Sequence, residues 1–298
     1  MIFLIIFLNT TPFKADRVEI VNENGESLVN LSGNVLIEQE STMISCIKAQ
    51  LNEKKMFVIL KDSICIKEPA GEIRADNAIY FFDKEIGTLR GNVRLKSEDQ
   101  IFSADSLDYD GKKRIVWMYK NVYLKDIKNN AVAHCQEGWY NLDEEVGSLI
   151  KKPEIEIKRE DRPPIIINAR EFLLKTKENL CYGYDSVIVK LDSITLFCDT
   201  IIYNMKKNAG YVLNPLAVEK NNELKGRTGE FGLKDNTIDY FKVSPGIASY
   251  WTNEGNHNVI EGDTINILFK EGRAFRIKVV GNPNGTLYLK KEKANAGD

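Results

Sequence analysis

The chain has 298 residues, enough for one large all-β domain or two ordinary ones with a sizeable core. Its 43% hydrophobic and 28% charged residues, with Val, Ile, Tyr and Phe abundant, describe a folded, surface-rich protein and exclude a disordered one. The net charge is −2, Lys and Arg are spread evenly, and no basic stripe interleaves with aromatics, which argues against nucleic acid as a partner.

The first element is the apolar run Met1–Leu8. It is too short to span a bilayer and has the length of a signal-peptide h-region, with Ala15 as the last residue before cleavage. No basic n-region precedes it, and Phe13 is bulky for the −3 site. Residues 1–15 are expected to be a signal peptide that exports the protein; the competing reading is a buried first strand.

From there the chain repeats itself. The segments LSGNVLI (from Leu31), LKDSICI (Leu60), LRGNVRL (Leu89), MYKNVYL (Met118), LIKKPEI (Leu149), GYDSVIV (Gly183), VLNPLAV (Val212) and FKVSPGI (Phe241) start 29, 29, 29, 31, 34, 29 and 29 residues apart. Such a period signals tandem structural units. A second phrase keeps step, opening on a small residue at Cys46, Ala75, Ala104, Ala133, Ala169 and Cys198, with ADNAIYF, ADSLDYD and CDTIIYN as its clearest copies. RTGEFGL from Arg227 and GDTINIL from Gly262 are degenerate copies. Short clusters of Asp, Asn, Gly and Lys separate the phrases, which is hairpin chemistry. No comparable window has a helical period. About eight units of two strands each predict an all-β protein: tandem antiparallel hairpins forming an elongated, twisted, open β-jelly roll with an apolar groove.

Alternation gives each strand an apolar and a wet face. In LRGNVRL, Leu89, Val93 and Leu95 share one parity, while Arg90, Arg94 and Lys96 take the other. The same parity selects Val35, Ile37, Ile64, Ile66, Val122, Leu124, Val187, Val189, Leu216 and Val218. On the second strand it selects Leu107, Tyr109, Ile201 and Tyr203. Between Ala75 and Ala78, and between Cys198 and Ile201, the apolar parity slips by one. That predicts a β-bulge near the Asp-Asn or Asp-Thr pair, bending every hairpin at one level.

The regular spacing breaks near 156–168, where IKREDRPPIIIN carries Pro163 and Pro164 together, so a long turn or subdomain joint is expected there. The repeat domain is expected to cover 16–289, and 290–298 reads as a solvated, disordered tail.

No chemistry-bearing motif stands out. His134 and His257 sit beside no nucleophile or ligand pattern. The recurring Asp76, Asp105, Asp199 and Asp263 read as bulge or turn residues that bond the backbone, rather than a cation or sugar site. The five cysteines, Cys46, Cys65, Cys135, Cys181 and Cys198, match no metal or disulfide framework and read as small core residues. No catalytic residue, metal or cofactor is expected.

The phrase L-x-G-N-V-x-[IL], a polar turn, [IF]-x-A-D-x-[LIA]-x-Y and a D-x-K turn resembles the organic-solvent-tolerance (OstA-like) repeat of lipopolysaccharide-transport proteins, over roughly Asp16 to Leu289. The resemblance implies a V-shaped antiparallel jelly roll in the periplasm whose apolar interior holds the acyl chains of lipopolysaccharide or lipid A. The groove would be lined by the apolar-face residues named above. It also implies inner- and outer-membrane partners joined by edge-strand addition, and end-to-end self-association. The nearest relative would be the soluble bridge protein. Two other readings stand beside it: a β-solenoid surface or adhesion protein, and a carbohydrate-active β-helix protein using the Asp ladder. Antiparallel against parallel pairing of consecutive segments discriminates between them.

Overall fold

The computed structural model describes residues 12–23, 25–39, 41–252 and 255–290. The apolar run 1–8 and most of the proposed tail lie outside the described residues. The chain divides into two compact units, Met1–Pro153 and Glu154–Asp298, with the boundary just ahead of the irregular joint. Every strand pairing given for either unit is antiparallel. This is the hairpin architecture expected and is incompatible with a parallel solenoid.

Unit 1 holds β1 (Phe13–Lys14), β2 (Arg17–Glu23), β3 (Glu26–Gln39), β4 (Thr42–Asn52), β5 (Phe57–Glu68), β6 (Gly71–Phe81), β7 (Ile86–Lys96), β8 (Gln100–Asp110), β9 (Ile115–Asp126), β10 (Ala131–Asn141) and β11 (Val146–Ile150). From β2 to β11 each strand pairs with the next. Many turns share one device. An Asn or Asp ends a strand and its Oδ1 accepts the backbone N–H three residues on: Asn52 from Lys55 at 2.7 Å, Asp110 from Lys113 at 3.0 Å, Asn141 from Glu144 at 2.9 Å. The next residue, Met56, Arg114 or Glu145, is left-handed and reverses the chain.

Each long strand is broken at one level by the first phrase. Gly33-Asn34, Asp62-Ser63, Gly91-Asn92 and Lys120-Asn121 all take positive φ, and Lys151-Lys152 repeats the pattern. Two such residues oppose a single one on the following strand. Arg90 faces Ser106 and Val93 faces Ala104, leaving Gly91-Asn92 against Asp105. The bend lies at the level the parity slip predicts, but the extra residue belongs to the first-phrase strand facing the Asp and not to the Asp-Asn pair itself. The recurring aspartates clamp it. Asn34 donates to Asp16 (3.0 Å), Asn92 to Asp76 (2.8 Å) and Asn121 to Asp105 (3.1 Å). Their partner is thus an Asn side chain on the neighbouring strand rather than the backbone expected.

The bend splits unit 1 into two limbs. Limb A contains Val93–Lys96 of β7 and its neighbours beyond the bulge; limb B contains Ile86–Arg90 and its neighbours before it. A small residue sits opposite each first-phrase Val or Ile: Cys46 by Val35, Ala75 by Ile64, Ala104 by Val93, Cys135 by Val122. The fourth member corrects the expected Ala133. Ala133 faces Leu124, and the true copy is CQEGWYN from Cys135, shifted by two because the turn before it is longer. Ala15-Asp16, read as a cleavage junction, occupies the same slot as Ala75-Asp76: the Asp16 N–H donates to the Gly33 carbonyl, and β1 pairs with β3 beyond the bend.

Unit 2 holds β12 (Glu154–Ile157), β13 (Ile165–Asn168), β14 (Glu171–Lys175), β15 (Leu180–Leu191), β16 (Ile194–Asn204), β17 (Ala209–Leu213), β18 (Leu216–Glu219), β19 (Asn222–Lys234), β20 (Thr237–Trp251), β21 (His257–Gly262), β22 (Thr264–Lys270), β23 (Arg273–Val280) and β24 (Asn284–Tyr288). β15, β16, β19 and β20 run through both limbs. β12, β13, β18, β21 and β24 belong to limb A, and β14, β17, β22 and β23 to limb B. Val187, Cys198, Leu224 and Ala248 from limb A pack in one core with Ile201, Val212, Phe231, Phe241, Val243, Ile265 and Ile267 from limb B. The limbs therefore face each other across a dry interior.

Candidate functional site

Unit 1 has an apolar cleft lined by Val58, Leu60, Ala78, Tyr80, Leu89, Leu107 and Tyr109 from limb B and Ile66 from limb A, with Ile79, Gly87 and Thr88 at its margin. Ile66 reaches Val58 and Leu60 of its own strand because the left-handed Asp62-Ser63 pair folds that strand between them. The cleft leaves about 40 Å³ of room. At roughly 10–15 Å³ for each water-sized sphere, that space is far smaller than an acyl chain.

Two phenols mark the cleft. Burial pushes the Tyr80 hydroxyl up to about 12. It raises Tyr109 as well, against the lowering effect of Arg114, whose guanidinium donates to the Tyr109 oxygen at 3.4 Å. Both stay neutral at ordinary pH, so the cleft carries no charge on its walls. Thr88 donates to Asp108 (2.9 Å), and Arg90 pairs with Asp108 (2.7 Å), on the wet face of the same strands.

Of the residues expected on the apolar face, Val35, Ile37, Ile64, Ile66, Leu89, Val93, Leu95, Leu107, Tyr109 and Val122 are buried inside unit 1, and Leu124 is half-buried opposite Phe102. Ile66, Leu89, Leu107 and Tyr109 meet at the cleft. Val187 and Ile201 lie in the unit 2 core, with Val189 and Tyr203 packed against it.

Leu216 and Val218 are a correction. Leu216 stands opposite the exposed Phe197 and Lys225, while Ala217 stands between Leu196 and the buried Leu224. In VLNPLAV only Asn214 is left-handed, and Asn214-Pro215 face two residues, Cys198-Asp199, so no extra residue is present and the parity beyond the bend flips. The apolar face there belongs to Ala217.

Val58 and Leu60 are cleft residues that were missed, although their parity with Ile64 signals them. One further copy of the first phrase also escaped notice. Gly281-Asn282 in VVGNPNG is left-handed, and Asn282 donates to Asp263 at 3.0 Å, just as Asn92 does to Asp76.

Among the described residues no group of three His, Cys, Asp or Glu side chains is arranged to hold a metal ion. Nor is any helix among them long and apolar enough to cross a membrane, which says nothing of β-barrels. His134 packs on Tyr123 and His257 between Trp251 and Tyr288. All five cysteines are free thiols.

Residues 13–146, nearly the whole of unit 1, match the family model described as LptA/(LptD N-terminal domain) LPS transport protein. No curated protein matches the chain. Among solved structures the chain is similar to LptH from Pseudomonas aeruginosa, described as the LptA homologous periplasmic component of the conserved lipopolysaccharide transport device. Identity is 18%, the TM-score 0.32, and the match covers 36% of this chain and 80% of that one. The bent hairpins and the apolar cleft of unit 1 lie within the residues that match the LptA/(LptD N-terminal domain) family model, which covers less than half of the chain.

Proposed function

We propose that this protein is an exported, non-enzymatic carrier that holds the acyl chains of lipopolysaccharide in the trough between its limbs and passes them between the inner and outer membranes. The observation that carries this reading is the uncharged cleft of Tyr80, Leu89, Leu107 and Tyr109, within the segment that matches the transport family. Moving acyl chains from water into such a site is favourable by about 0.8 kcal/mol per CH₂.

Edge strands supply the means of hand-over. Among the described residues β2 pairs only with β3 and carries exposed Val18 and Ile20, and β23 pairs only with β22 and carries exposed Phe275 and Ile277. Unpaired edges with apolar side chains suit strand addition from transport components or a second copy.

The test is photo-cross-linking with lipid A in mixed micelles. A photo-reactive residue at Leu107 or Tyr109 is expected to label the lipid, and one at the outward Arg94 is not. Equal labelling from both faces overturns the proposal.

A further inference from the structure

The irregular joint, which has no part in the cleft of unit 1, carries a buried arginine in unit 2. The loop 158–164 joins β12 to β13 at the tip of limb A. On it, Arg159 has a side chain only 4% exposed. All five of its guanidinium N–H bonds find acceptors. Nε donates to the Pro163 carbonyl at 2.8 Å, and Nη2 donates there too. Nη2 and Nη1 fork onto the two carboxylate oxygens of Asp192 at 2.8 and 3.3 Å, and Nη1 also reaches the Asn236 carbonyl at 3.3 Å.

The topology gives these bonds their meaning. Asp192 lies in the β15–β16 turn, at the tip of limb A. Asn236 lies in the β19–β20 turn, at the tip of limb B. Arg162, 3.7 Å from Asp192, adds a second cation, and a Cβ on Gly272, in the β22–β23 turn of limb B, would fall 2.9 Å from the Arg162 guanidinium. One limb tip is thus bonded to one turn of the other and lies close to a second. In unit 1, by contrast, the tip bonds from Gly111 to Glu85 and from Ile127 to Asp99 run within a single limb.

We propose that Arg159, held on limb A by Asp192 and the Pro163 carbonyl, forms a polar clasp to the Asn236 carbonyl of limb B, and that an amphiphile enters the interior of unit 2 only when the clasp is released. Entry by lipid rests on the proposed function above; the clasp itself does not. Only the planar fork of arginine can hold two carboxylate oxygens and carbonyls of both limbs at once. Arg159→Lys is therefore expected to retain the charge and lose most of the closure.

The test uses the full chain, with hydrogen exchange read at the turns containing Asp192 and Asn236 and lipid A cross-linking read at Phe231 in unit 2 and Tyr109 in unit 1. Arg159→Ala and Asp192→Asn are expected to speed exchange at both turns at least tenfold and to raise labelling at Phe231 several-fold, leaving Tyr109 unchanged. Arg159→Lys should fall closer to Arg159→Ala than to wild type. Unaltered exchange at both turns overturns the clasp. Faster exchange with unaltered labelling at Phe231, while Tyr109 still labels, overturns its role as a gate. Absence of labelling at every position in every variant instead sinks the carrier reading, and exchange still decides the clasp. Should Arg159→Ala unfold unit 2, Asp192→Asn keeps the side-chain volume and carries the comparison.

Discussion

Gly91→Ala tests whether the bend is built into the backbone. Gly91 has φ 77°. Placing an L-residue in the left-handed region costs about 1–2 kcal/mol. The added Cβ would lie 2.4 Å from the Asp76 carboxylate and 2.9 Å from the Asp76 Cβ, so the Asp76 side chain must swing away. That breaks its 2.8 Å bond from Asn92. Because the bond is exposed, its loss adds only about 0.5–1 kcal/mol. The sum is about 1.5–3 kcal/mol, localised to unit 1. Native-state hydrogen exchange at amides of β6, β7 and β8 reads that loss, and a cycle of Asp76→Ala with Asn92→Ala isolates the clamp. The Gly91→Ala cost should shrink in the Asp76→Ala background, because the carboxylate part of the clash is then gone and only the 2.9 Å approach to the Cβ of residue 76 remains. If Gly91→Ala changes exchange by less than about 0.5 kcal/mol, or if its cost is the same with and without Asp76, the account of the bulge is wrong.

Three further outcomes follow from the same geometry. Glu26, bonded to Lys55 (2.9 Å) and Asn52 (3.2 Å), has its carboxyl held below the usual range by those contacts. Its stabilisation is present above the unfolded carboxylate value and lost as pH falls through the lower folded one, so the melting temperature of wild type should drop more than that of Glu26→Gln between about pH 5 and pH 3. Burial pushes the Cys46 and Cys135 thiols up to about 11 and Cys181 and Cys198 up to about 12. These four should react with a disulfide reagent at neutral pH at least ~100-fold more slowly than in the unfolded chain, and fast native labelling would contradict their burial. In the slot opposite Val187, Cys198→Ala should cost about 1 kcal/mol or less and Cys198→Leu about 1–3 kcal/mol by overpacking, read by thermal denaturation; equal costs would show that the slot is not size-limited.

The period of the sequence carries the fold because each unit is one hairpin, and alternation then assigns the faces. Val35, Val93, Leu107 and Val187 follow directly. The errors came where the backbone rather than the side-chain pattern sets the phase. Two left-handed residues at Gly91-Asn92 preserve parity across the bend, whereas the single one at Asn214 inverts it and moves Leu216 and Val218 outward. A longer turn displaced the small-residue slot from Ala133 to Cys135. The cleft of Ile66 with Val58 and Leu60 was legible only in part, because the sequence marks which residues point inward and not which of them meet across the fold. The Asn-to-Asp clamps pair residues 15–19 positions apart on neighbouring strands, a relation that appears only once the register is known.

Bending every hairpin of unit 1 at the same level separates the cross-section of the trough from its length. The cross-section is fixed inside a single hairpin, by the positions of the left-handed pair and of the small residue facing it. Length is fixed only by how many hairpins are laid side by side. At about 4.8 Å per strand, one added or deleted unit changes the trough by about 9.5 Å while leaving its width and lining unchanged. Capacity for a longer ligand can thus be gained by duplicating a 29-residue stretch, with no redesign of the wall.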